Sequence, residues 1–499
     1  MHRAIRYSRC LASSRLGSER LHIEGCGSEL TAVAFYFLTR PDCLKRYLNN
    51  QLISSVERLP LTTGGAPIVI RGKNFRVIRL IIPRERDCHN VYTTIKRLMT
   101  SKSNLQGSRA VCENHLLLMA SGQLIGSYVC DTYPTLLCVP STASKGMLKA
   151  SARFRSRGRF PVLTYLHSNG KSALCRSSQP LAGFSSKSME DQFLLEAIRQ
   201  ANPSCTVLYV VDTRPALNAL TNKAQGKGYE DTTVYRNIAI QFFDIENIHV
   251  VRNSQEKLLK VCQEPAIPLE QYHQGLEKSG WFRHLRIILE AAFFVANRLN
   301  EGNSVLVHCS DGWDRTAQVC SLAQIVLDPY YRTIIGLEKE WIFFGHKFTE
   351  RCGLISVSDQ REASPIFCQF LDCVHHLIEL CPTKFEYNSS LLSLLHDEAY
   401  GALYGTFVGC SEKERQDLGV SDLTYSVWPL IDHRGNEFMN PYYEHADHLA
   451  HALGGSIAAD NLLLDGVANG IELTVTTGGN SRHAVDMLPS FVLAPQLFK

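Results

Sequence analysis

Residues 304–316 read SVLVHCSDGWDRT, and their reading decides the fold. SVLVHC is a short apolar run of the kind that forms a buried strand. Residues 316–328, TAQVCSLAQIVLD, repeat apolar side chains at Val319, Leu322, Ala323 and Val326, which is helical spacing. SDGWDR between them is a tight loop. Cys309 therefore ends a strand just ahead of a helix N-terminus, where backbone N–H groups carry partial positive charge. Gly312 lets the backbone turn inward and form an anion nest. Such a nest lowers the pKa of a thiol and makes the thiolate available as a nucleophile. Arg315, six positions on, can grip two phosphoryl oxygens bidentately. A bare CxxxxxR is a weak signal; a strand before it and a helix after it make a phosphatase signature. The predicted reaction is in-line attack by sulfur, a phosphocysteine, then hydrolysis by water. That chemistry needs no metal and no cofactor.

The same loop carries two acids, Asp311 and Asp314. A carboxyl packed against a phosphate dianion has its ionised form disfavoured, so its pKa rises and it can donate a proton to a leaving oxygen. Either aspartate fits that role; the other then holds Arg315, orients the loop or positions water.

The rest of the chain supports an α/β domain from about residue 128. PVLTYL (161–166) and CTVLYVVD (205–212) read as buried strands. DQFLLEAIRQA (191–201) and WFRHLRIILEAAFFVANRL (281–299) read as helices. Upstream, PIVIRGKNFRVIRLIIP (67–83) alternates like a hairpin turning at Arg71-Gly72, and residues 86–99 shift to helical spacing with Val91, Ile95 and Leu98 on one face. Strands closed by a helix suit a small β module. Residues 101–127 show no period and read as a linker. SARFRSRGRF (151–160) alternates arginines at 153, 155, 157 and 159, which an extended strand would set on one side, facing acidic lipid or internal ion pairs. Past 443 the order is lost, apart from one strand expected at 471–479. His445, His448 and His451 share helical spacing and read as a solvated face rather than a metal site.

The 499 residues are enough for two or three domains. Basic and acidic residues nearly balance, 52 against 48, which argues against nucleic acid as a partner. The 17 cysteines are odd in number, include no CxxC pair and often sit in apolar runs, so they read as reduced and buried. No apolar run approaches the roughly 20 residues of a membrane span. The first twenty residues, with five arginines, four serines and one acid, resemble a transit peptide in composition.

HCSDGWDRTAQ (308–318) resembles the signature of the myotubularin phosphoinositide phosphatases. Residues 154–185, 209–230, 243–254 and 343–353 resemble further segments of that family, in order. VERLPLTT (56–63) and residues 72–92 resemble the PH-GRAM domain of myotubularin-related proteins six, seven and eight. The resemblance implies a cysteine-phosphatase fold, a central sheet flanked by helices, behind a partial PH-GRAM β module. The implied divisions are 1–100, with resemblance from about 51; a linker at 101–127; the phosphatase domain at 128–443; and a divergent tail at 444–499.

The implied activity is removal of the 3-phosphate from phosphatidylinositol 3-phosphate and phosphatidylinositol 3,5-bisphosphate. By motif position Cys309 is the nucleophile, and Ser310, Asp311, Gly312, Trp313, Asp314 and Arg315 form the phosphate loop. Asn222, Asn247, Ile248 and Arg351 match positions that contact the headgroup. The implied setting is cytoplasmic, peripheral on endosomal membranes. A homo- or heterodimer with an inactive relative is also implied, although residues 444–499 show no sustained heptad repeat. Two other readings stay open: a protein tyrosine or dual-specificity phosphatase, and a pseudophosphatase adaptor. The adaptor reading draws on two departures from the family. Residues 1–50 do not follow the PH-GRAM pattern, and RTIIGLEKEW (332–341) is about four residues short, which inside a helix would rotate the flanking faces and displace Arg351.

Overall fold

The computed structural model describes residues 52–100 and 129–444, except 265, 335, 338–340, 343 and 355–360, together with the strands Arg15–Leu16, Glu19–Gly25, Val33–Leu38 and Gly122–Gly126. The transit-like residues before 15, the histidines at 445–451 and the strand expected at 471–479 lie outside the described residues.

Five strands form the sheet that carries the site. Their spatial order is Ile238–Phe242, Leu208–Asp212, Val305–Cys309, Ala173–Ser178 and Val162–Leu166. The first four run parallel and only Val162–Leu166 is antiparallel. Val305–Cys309 lies in the middle with every residue buried, which is why its sequence is apolar throughout. The helices Trp281–Asn300 and Arg315–Leu327 pack together behind it. Arg315–Leu327 is buried nearly all round, so its polar Gln318 turns to Ile366 O and Gln369 rather than to water.

The N-terminal module holds two three-stranded antiparallel sheets. One contains Arg15–Leu16, Glu19–Gly25 and Val33–Leu38; the other contains Ile53–Arg58, Ala66–Gly72 and Val77–Ile82. The helix Glu85–Thr100 closes the second, burying Val91 and Ile95 as its spacing predicts. This module is not separate from the phosphatase core. Leu52, Ile68 and Ile95 belong to the same contiguous apolar cluster as Trp281, Val307 and Phe370.

Three expectations are corrected. The end of the expected linker is a strand, Gly122–Gly126, paired with Leu136–Pro140. SARFRSRGRF is not extended: Lys145–Phe154 is a helix capped by Ser144, and Ser156–Gly158 is a 3-10 turn in which Arg157 has φ 58°. The arginines therefore diverge, and Arg155 and Arg159 point inward to full burial. RTIIGLEKEW begins at the end of a 3-10 turn, Pro329–Arg332, and its residues 335 and 338–340 lie outside the described residues. The expected displacement of Arg351 does not occur: its Nη2 donates to Asp314 Oδ2 in the loop.

Candidate active site

The loop after Cys309 is held from behind. Gly312 adopts φ 81°, and a Cβ there would lie 2.4 Å from Ser177 O, so only glycine fits. Its carbonyl accepts from Arg176 Nη2 at 2.7 Å and Arg159 Nη2 at 3.1 Å. The Gln179 N–H donates to Ser310 O at 3.1 Å. Both guanidiniums are buried, so their charge adds to the positive field of the nest.

Inside the loop the Gly312 N–H donates to Cys309 Sγ at 3.2 Å. Burial pushes the Cys309 thiol up, but the Arg315 charge and the polar groups of Thr316 outweigh it, and the thiol lies below its ordinary value. Arg315 is half-buried. Its two terminal nitrogens donate to Ile245 O and Ser310 Oγ, both at 3.2 Å. Those bonds fix the guanidinium across the loop mouth.

The two aspartates separate. Asp311 is half-buried and accepts from Ser156 Oγ at 2.7 Å. Among the described residues no cation is paired with it. Asp314 is buried and gripped by Arg351, with Nη2 to Oδ2 at 2.8 Å and Nε to Oδ1 at 3.1 Å. His346 Nδ1 lies 3.3 Å from Asp314 Oδ1 and donates to Trp313 O at 2.9 Å. Burial pushes the Asp314 carboxyl up, yet Arg351 and His346 hold it well below the usual carboxylate range. The expectation of a raised pKa is thus reversed for Asp314 in the free site. The residue that Asp314 holds is Arg351, not Arg315.

Of the headgroup candidates, Arg351 bonds the loop directly and Asn222 reaches it through Gln179. Asn222 Nδ2 donates to Gln179 Oε1 at 3.3 Å. Asn247 caps the helix Ile248–Gln263, its Oδ1 accepting from the N–H groups of His249 and Val250. Ile248 O accepts from Ser364 Oγ, and the neighbouring Ile245 O holds Arg315. Arg351 is committed to Asp314 and to Glu362, whose Oε2 lies 3.0 Å from Nη1. Trp313 is buried beneath the Lys347 ammonium, 4.8 Å from the ring centre.

Behind Cys309 runs a buried ionic chain that sequence reading missed. His308 Nε2 meets Glu230 Oε2 at 2.9 Å, and Glu230 Oε1 accepts from Arg155 Nη1 at 2.6 Å. Arg155 also forms two bonds to Asp191, at 2.7 and 2.9 Å, and Tyr235 OH donates to the same carboxylate at 2.8 Å. Burial opposes every charge here. Even so, the carboxylate partners raise His308 and Arg155, and the two cations hold Glu230 well below its ordinary range. Arg214, salt-bridged to Asp212, closes the wall by donating to Gln179 Oε1 and Gly228 O. The only sequence signal for this chain was the arginine run of 153–159. The described residues hold no group of three or more His, Cys, Asp or Glu placed to bind a metal, and no helix among them is long and apolar enough to cross a membrane.

Comparison with known proteins agrees with this geometry. A family model described as the myotubularin-like phosphatase domain matches residues 125–416. The MTMR6-9 GRAM domain model matches residues 19–99, which carries that likeness upstream of residue 51. Human phosphatidylinositol-3,5-bisphosphate 3-phosphatase MTMR6 is 45% identical over 429 residues, covering 79% of this chain and 69% of the relative. Human phosphatidylinositol-3-phosphate phosphatase MTMR7 is 43% identical over 454 residues, covering 84% and 68%. Gallus gallus phosphatidylinositol-3,5-bisphosphate 3-phosphatase MTMR8 is 45% identical over 422 residues, covering 78% and 67%. With a matching phosphatase model over more than half its length and a GRAM model before it, the chain belongs to the myotubularin family.

Proposed function

We propose that the protein hydrolyses the 3-phosphate of phosphatidylinositol 3-phosphate and phosphatidylinositol 3,5-bisphosphate. The observation that carries this reading is the Cys309 thiol, depressed by Arg315 within a loop whose donors point inward. The Cys309 thiolate attacks phosphorus in line with its bond to the inositol 3-oxygen. As the P–O bond breaks, the leaving oxygen takes a proton from Asp311 and phosphocysteine forms. Water then attacks the phosphocysteine, gives its proton to Asp311, and releases phosphate and thiolate. Arg315 and the loop N–H groups stabilise the equatorial oxygens as charge develops. Asp314 serves as a fixed anion that sets Arg351 beside the cleft. Asn222, Asn247 and Ile248 line the headgroup side.

The names of the relatives support the substrate class, and retention of both Cys309 and Arg315 supports an active enzyme over an adaptor. The same reading carries a location, cytoplasmic and peripheral on endosomal membranes, and leaves dimerisation with an inactive relative as a proposed partnership. The test is phosphate release from short-chain phosphatidylinositol 3-phosphate, with the 4-phosphate isomer and Cys309→Ser as controls. Release from the 3-isomer alone, abolished by the substitution, is expected. No release by folded protein would leave the adaptor reading in its place.

A further inference from the structure

The helix Ala216–Lys223 turns Ala219 inward to complete burial, while Leu217 and Leu220 are 72% and 50% exposed. A fold that needed only this helix's inner face would carry polar residues outside, as amphipathic helices do. Beside it, Gly183 N–H donates to Lys227 O at 2.9 Å, which seats the 181–187 loop against the helix end. That loop holds up Phe184, 79% exposed. Lysines 187, 223 and 227 belong to the same two segments, with Asp231 as the neighbouring acid. The Lys223 ammonium lies over the Tyr229 ring, 3.9 Å from its centre. Exposed large apolar side chains on segments that also carry lysine have the composition of an interfacial membrane contact.

The position of this patch gives it a use. Asn222 sits on the same helix and bonds Gln179, whose backbone N–H bonds Ser310 O of the phosphate loop. The helix that carries the patch is thus tied to the phosphate loop through a single buried residue, Gln179. We propose that Phe184, Leu217 and Leu220 insert into the interfacial layer of an anionic bilayer, with Lys187, Lys223 and Lys227 against its headgroups, so that the phosphate loop meets inositide still seated in the membrane. The proposal rests on the inositide reading of the site for its purpose, but the contact itself is measurable without substrate.

The test uses the full chain and a triple variant, Phe184→Ser, Leu217→Ser and Leu220→Ser. Co-sedimentation with phosphatidylcholine vesicles containing phosphatidylserine is expected to weaken about tenfold or more. Added salt should weaken the parent further, because lysine attraction is screened. Turnover of vesicle-borne phosphatidylinositol 3-phosphate should fall in parallel, while turnover of the dispersed short-chain lipid stays unchanged. Leu269→Ser, which changes an equally exposed leucine on another helix, should move none of these readings. Equal sedimentation by parent and triple variant overturns the proposal and leaves the patch to a protein partner or membrane binding to the GRAM module. A parent that sediments but releases no phosphate even from dispersed lipid sinks the inositide reading and not the surface. Thermal melting of the triple variant confirms that a loss is not misfolding.

Discussion

At the scale of single residues, the site gives its two loop carboxylates opposite neighbours. Asp314 faces Arg351 and His346 and stays ionised; Asp311 meets a serine hydroxyl. Their replacements should therefore fail differently. Asp311→Asn is expected to fold normally and to lose about 10²- to 10⁴-fold in inositide turnover, the usual share of general acid catalysis. An aryl phosphate, whose leaving group needs no proton, should be spared. Asp314→Asn strips the main partner from the buried Arg351 and should cost about 3 kcal/mol of stability, with both substrates affected alike. Urea melts and kinetics on the two substrates separate the cases; an Asp311→Asn enzyme with full inositide turnover removes that residue from the role.

At the scale of elements, the central strand and its loop stand on arginines drawn from a helix end. Arg155 neutralises Asp191 and Glu230, both fully buried, and through Glu230 reaches His308 beside the nucleophile. Arg155→Met leaves two carboxylates facing one histidine, at an expected cost of about 3–5 kcal/mol, measured as a shifted urea midpoint with unchanged slope. A midpoint within error of the parent would show that the chain relaxes or takes up protons instead. The strands and long helices were legible in sequence because period and apolar runs are local properties. SVLVHC, the 281–299 helix and the helix after Arg315 all form as their spacing predicts. The arginines were not legible as a framework. Their alternation resembles a strand, and their partners lie at 191, 230 and 312, distances in sequence that no local pattern encodes. The same reason hid the bond between Arg351 and Asp314. Reading Gly122–Gly126 as linker failed because so short a strand owes its form to Leu136–Pro140, not to its own composition.

At the scale of the whole molecule, the N-terminal module is docked on the phosphatase domain by more than apolar contact. Arg76 pairs with Asp397 at 2.9 Å, Asn74 Nδ2 donates to the same carboxylate, and Phe75 meets Tyr400 edge-on at 5.0 Å. Next to Asp397 sits Glu398, whose buried Oε2 has no hydrogen-bond partner among the described residues. Burial, with Asp397 adding to it, pushes Glu398 up to about 7 from 4.5. The folded chain thus keeps a proton that the unfolded chain releases between about pH 4.5 and 7. Stability from this group falls as pH rises through that window and is level above it, by up to about 3 kcal/mol. Chemical melts at pH 5.5 and 7.5 should show the loss, and Glu398→Gln should abolish it. A variant with the parent's pH dependence would assign the effect elsewhere. Because the two modules share one core, a single unfolding transition is expected in both proteins.

The stretch between Arg332 and Trp341 has a consequence for how such a protein tolerates change. Arg332 is tied to Ile325 O at 2.9 Å, and Trp341 is wedged between Phe367 and Phe370. These two clamps fix where the chain leaves one wall of the domain and where it re-enters, and Arg351 is delivered from the second clamp. The two clamps, rather than the count of residues between them, hold Arg351 at Asp314. A family member of different length between the clamps is therefore expected to keep that ion pair, and with it the same chemistry.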